Sequence, residues 1–139
     1  MVTYNFENSY RTTLVCIDEY DTKILKGRIY NPQRPQGVEF TGTIDFLLIM
    51  EKLFEEAKCP QSFVTLRTFR SHGAEQDPPV LPGNIAKEGK LATFSLRILF
   101  RQNSSWQGSL MWHEGRAEES FRSVLELLLL MDSALCAKE

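Results

Sequence analysis

His72 and His113 are the only histidines in the 139-residue chain, so any imidazole base or metal ligand must come from one of them. His72 stands in Ser71-His72-Gly73, at the mouth of a stretch punctuated by proline and glycine, where catalytic geometry would be hard to hold. His113 opens the turn-like triplet His113-Glu114-Gly115, which lacks the second histidine of a zinc protease helix. Both read as solvated side chains. Cys16, Cys59 and Cys136 are odd in number, far apart and without C-x-x-C spacing, so they read as reduced structural thiols and not as metal ligands or a redox pair. Glu118 and Glu119 could divide acid and base work only on one face, and adjacent strand residues point to opposite faces. GxGxxG, Walker A and GxSxG are absent, and Pro82-Gly83-Asn84 is a turn, not a phosphate cradle. No catalytic residue, metal site or cofactor is expected. An enzyme would need groups assembled by the fold alone.

Composition frames the alternatives. With 42% apolar and 11% aromatic residues, the chain can fill a core without staples. Sixteen basic and eighteen acidic side chains leave a net charge of −2, so any attraction for nucleic acid must be local. The local basic excess lies between Gln61 and Ser104, where six basic residues meet three acidic ones. The N-terminal residues, from Met1 to Glu7, lack the basic start and long apolar run of a secretory signal, which gives a cytoplasmic expectation. The most apolar run, Leu127 to Met131, is far shorter than the roughly 20 residues that span a bilayer, so no membrane partner is expected.

The elements that must position any site follow from periodicity. Thr13 to Tyr20 and Ile24 to Tyr30, joined by Asp21-Thr22-Lys23, read as a hairpin of β-branched and aromatic residues. Asn31 to Gly37 breaks the chain, and Val38-Glu39-Phe40 is a short third strand. From Thr43 to about Lys58 a helix is predicted, with Phe46, Leu47, Met50, Leu53 and Phe54 as its apolar stripe and Cys59-Pro60 as its stop. The order then returns. Ala92 to Arg101 and Trp106 to Trp112 form a second hairpin, Glu119 to Phe121 a short strand, and a helix follows whose start carries the capping box Ser123 to Glu126.

A shift of 81 positions superposes the two stretches without a gap, placing Gly27 on Gly108, Phe40 on Phe121, and Ile44 to Glu51 on Leu125 to Asp132 with chemical class kept. Two amphipathic helices resemble one another by chance, but chance does not place the helix, the preceding phenylalanine and the hairpin glycine in one register. Internal duplication is therefore expected, as an α+β fold of antiparallel strands with helices packed on the sheets. If Val2 to Phe6 and Ser62 to Arg70 are also strands, each copy is ββββα. The first repeat is then 1–60 and the second 61–139, the latter carrying a mobile loop at 71–90.

That element order resembles the topology shared by PUR repeats, Whirly proteins and the positive cofactor four coactivator domain, which bind single-stranded nucleic acid. The resemblance covers nearly the whole chain in element order and includes no sequence motif, so it transfers no binding residue. The hairpin and helix stretches are also similar to short bacterial proteins of no assigned activity, which implies none here.

Alternation directs Val15, Ile17, Leu25 and Ile29, with Phe94, Leu96, Ile98, Phe100, Trp106, Leu110 and Trp112, toward the helices. The other face is then expected to show Cys16, Asp18, Tyr20, Lys26, Arg28 and Tyr30 in one copy, and Arg97, Arg101, Gln107, Ser109 and Met111 in the other. Lys26, Arg28, Tyr30, Arg97 and Arg101 could hold single-stranded DNA or RNA by phosphate neutralisation and base stacking, or could simply cover a solvated sheet. On the helices, Ile44, Leu48 and Ile49, with Leu125, Leu129 and Leu130, fall outside the apolar stripe. They predict cover by another helix, a protein partner or a second copy in a homodimer.

Overall fold

The computed structural model describes residues 12–31, 34–57 and 88–136. Six strands and two helices occur in the order β1 (Thr12–Asp21), β2 (Ile24–Asn31), β3 (Arg34–Thr41), α1 (Thr43–Ala57), β4 (Ala92–Phe100), β5 (Gln107–Trp112), β6 (Ala117–Phe121) and α2 (Val124–Cys136). The strands form one sheet, β3-β2-β1-β4-β5-β6, in which every neighbouring pair is antiparallel. The fold is thus α+β. Among the described residues three strands, not four, precede each helix, and the expected strands at 2–6 and 62–70 lie outside them, as do His72, Cys59 and the 71–90 loop up to residue 87.

Both hairpins turn through paired left-handed residues without glycine, Thr22-Lys23 and Asn103-Ser104, with φ between 51° and 64°. Left-handed backbone at two successive positions matches the strand twist of a tight hairpin, and asparagine tolerates it well. Gly27 and Gly108 are fixed by contact. A Cβ on either would lie 1.9 Å from a carbonyl oxygen of the neighbouring strand, that of Cys16 or Arg97. Beside each glycine the neighbouring strand shifts register, between Ile17 and Glu19 in β1 and between Ile98 and Phe100 in β4. An extra residue there reverses which way the rest of the strand points.

Those two irregularities account for the main departures from simple alternation. Phe100, expected under the helices, is 51% exposed, whereas Arg101, expected in solvent, is 3% exposed. The third strand also begins earlier than its apolar residues imply, at Arg34, and holds Pro35 because β3 is an edge that need not use that donor.

The core lies between one face of the sheet and the helices. Val15, Ile17, Ile29, Phe40, Phe94, Leu96, Ile98 and Phe121 meet Phe46, Met50 and Leu53 of α1 and Leu127 and Met131 of α2 in one cluster. Ile49, read as lying outside the stripe of α1, is buried within this core, and Leu47 is only partly buried. At the helix starts Ser123 Oγ accepts from Glu126 N at 3.2 Å, as a cap should. The carboxylates of Asp45 and Glu126 each accept from the backbone N–H four residues back, at Thr41 and Arg122.

Candidate functional surfaces

The sheet face turned away from the helices is organised around Arg28. Asp18 grips its guanidinium through two parallel bonds, Nε to Oδ2 at 3.0 Å and Nη2 to Oδ1 at 3.1 Å. Nη1 donates to the Tyr30 hydroxyl at 2.9 Å, and Nη2 also donates to the Glu88 carbonyl. Burial opposes the charge on Arg28, but the bonds from Asp18 and Tyr30 outweigh it and raise its pKa. Residues 88–90 are fastened over this face, with Lys90 N donating to Asp18 and Gly89 N to the Thr93 hydroxyl. The expected basic surface is therefore largely engaged from within.

Cys16 belongs to this face and is fully buried. Burial, opposed in part by the charge of Arg28, pushes its thiol up to about 11, so it stays protonated at neutral pH and is not a nucleophile. Lys26 is half-exposed and lies 3.7 Å from Glu19. Of the five residues proposed to hold a nucleic-acid strand, Arg28, Tyr30 and Arg101 are buried, Arg97 is partly buried and Lys26 alone is exposed.

His113 is not merely solvated, since its Nε2 lies 2.7 Å from Ser95 Oγ. A serine beside an imidazole is part of the apparatus for acyl transfer, which also needs an orienting carboxylate and oxyanion donors. Glu114, next in sequence, instead accepts from the backbone N–H of Thr93 at 2.8 Å. No group of three metal-ligating side chains occurs among the described residues.

The helix side carries two polar junctions that cross between the halves. Arg101, at the end of β4, reaches α1, where Nη2 lies 2.6 Å from Glu51 and 2.7 Å from Glu55. The Trp106 indole N–H also donates to Glu51, and its ring meets Phe54 edge-on at 5.3 Å. Tyr20, at the end of β1, reaches α2 and donates to Asp132 at 2.6 Å. Lys23 joins it there, 2.8 Å from Asp132 and 3.4 Å from Cys136 Sγ. Tyr20 and Arg101 stand 81 positions apart, and so do Glu51 and Asp132, and Glu55 and Cys136. Both strand residues were expected in solvent. The register shifts turned them to the helices, and nothing in plain alternation signals that.

Away from the sheet the helices expose Ile44 (74%), Leu48 (64%), Leu125 (66%) and Leu129 (58%). Ile44 and Leu48 correspond to Leu125 and Leu129 under the same offset. Leu130, grouped with them from its position in sequence, instead packs partly against the core. No helix among the described residues is long and apolar enough to cross a membrane. No family model, curated protein or solved structure matches this chain, so its functional reading rests on these surfaces.

Proposed function

We propose that this chain is a non-catalytic assembly protein that forms a homodimer through the outer side of α1 and α2. The observation that carries the reading is the set of four exposed aliphatic side chains, Ile44, Leu48, Leu125 and Leu129, on the face that the sheet does not cover. Leaving them in water forfeits the free energy of burying apolar area. A second copy offers the same groups at the same spacing, as an isologous contact requires.

Internal duplication, read as two ββββα units, gives this surface its origin. It is supported by the common 81-residue offset of the glycines, the register shifts, the left-handed turns and the crossed junctions. Single-strand binding through the sheet face is the weaker reading, because Arg28 would have to surrender its ion pair with Asp18 before meeting phosphate and Arg101 is turned to the carboxylates of α1.

The test is the mass in solution of wild type and of Leu48→Glu/Leu129→Glu. Wild type is expected as a dimer, and the variant as a folded monomer whose dissociation constant has risen at least about tenfold, equivalent to about 1.4 kcal/mol. A monomeric wild type, or a variant of unchanged mass, overturns the proposal. Saturable, salt-sensitive binding of single-stranded DNA or RNA would favour the other reading.

A further inference from the structure

A cleft of about 230 Å³ opens between α2 and strands β4, β5 and β6. It is lined by Phe94, Leu110, Trp112 and Leu130, with Ala117 and Ala134 leaving the space between them. The corresponding region of the other half has bulk at the same offset: Leu53 where α2 has Ala134, Lys52 where it has Ser133, and Gln36 where β6 has Ala117. Leu53 is 1% exposed and fills its place beneath α1. Small side chains on α2 and β6 therefore open the space, and Phe94 and Trp112, which stand where the other half has Thr13 and Asn31, wall it.

Its chemistry is one-sided. Among the described residues no lysine, arginine or histidine lines it, and Glu119 is the charged group that does. Glu119 is exposed and makes no ion pair or hydrogen bond among the described residues. The Ser133 hydroxyl, the other polar group exposed there, already donates to the Leu130 carbonyl at 2.8 Å. The Trp112 ring is seated over Gly115, where a Cβ would lie 2.1 Å from it, so the aromatic wall has a fixed position. A volume below the roughly 300 Å³ at which pockets for drug-sized ligands begin suits a body of about one ring. An ammonium group beside Trp112 and Glu119 would gain both the ring's negative face and the carboxylate.

We infer that this cleft binds a small amine with an apolar, ring-sized body, its ammonium group directed to Glu119. The site adjoins the outer helix face, since Ser133 stands four residues after Leu129, but its ligand does not depend on whether the chain dimerises.

The test uses the full chain titrated with 2-phenylethylamine, and with 3-phenylpropanoate as the anionic comparator, read by NMR shifts of the Trp112 indole and the Ala134 amide. Saturable shifts are expected, with the amine up to about fivefold tighter than the acid, since an ion pair to an exposed carboxylate contributes at most about 1 kcal/mol. Glu119→Gln should abolish that preference, and Ala134→Leu should block both compounds by restoring the side chain used in the other half. Ser133→Leu, at an exposed position, serves as the blocking variant if Ala134→Leu does not fold. Absence of saturation, equal affinity for amine and acid, or undiminished binding in the blocking variant overturns the inference.

Discussion

The two crossed junctions use equivalent positions for opposite ends. At α1 the strand contributes Arg101, 3% exposed, and two carboxylates come from the helix. At α2 the strand side contributes the Tyr20 hydroxyl and the exposed amine of Lys23, and the helix supplies Asp132. One junction thus encloses a charge and the other leaves its charges in water. Enclosure makes the first junction intolerant of losing a partner, whereas solvent can replace what the second loses. The same backbone arrangement can therefore hold a helix rigidly or loosely, according to the depth of its ion pair.

The largest expected effect lies where the two halves should behave alike. Gly27→Ala and Gly108→Ala each drive a Cβ into a backbone carbonyl of the adjoining strand, and each should cost about 4 kcal/mol. Urea denaturation of the two variants checks this. Similar losses would support equivalent bends, and a loss confined to one would show that only one strand is held by close contact.

Next comes the contrast between the junctions themselves. Glu51→Ala removes an acceptor from both Arg101 and Trp106, which are 3% and 2% exposed, and should cost about 3 kcal/mol, with Glu55 left as partial compensation. Asp132→Ala removes the equivalent carboxylate from the exposed Lys23 and the partly buried Tyr20 hydroxyl, and should shift the denaturation midpoint less. Equal shifts would mean that depth does not govern these junctions.

How much of this was legible beforehand depended on distance along the chain. Hairpins, helices and the common offset are local or periodic, and apolar spacing carries them: Phe46, Met50, Leu53 and Phe54 stand in the core where the spacing put them. The register shifts beside Gly27 and Gly108 were not legible, because a bulge depends on how two strands meet and not on one strand's pattern. That single omission misplaced Tyr20, Phe100 and Arg101 together. A signal was present in the matched glycines, since an unexplained strand glycine marks a close approach. For the candidate surfaces, Leu48 and Leu129 were recognised from helical spacing, whereas the small residues that open the cleft, Ala117 and Ala134, become visible only when one half is set against the other.

The smallest effect concerns acid. Arg122 holds Glu126 well below its ordinary value, first through its side chain and then through its backbone N–H, bringing its pKa to about 2 from 4.5. Lys23 and Tyr20 likewise lower Asp132. A carboxylate whose pKa is lower folded than unfolded adds stability that is fully present above the unfolded value. That contribution is lost as pH falls through the folded value. For Glu126 the window therefore runs from about 4.5 down to about 2. Both groups are exposed, so salt should mute the effect. Denaturation midpoints of wild type and Glu126→Gln should differ above this window and converge toward its lower end, with Asp132→Asn following the same direction. A difference that stays constant as pH falls would mean that the cap and the α2 junction depend on shape, leaving α1 and α2 to differ in packing and not in charge.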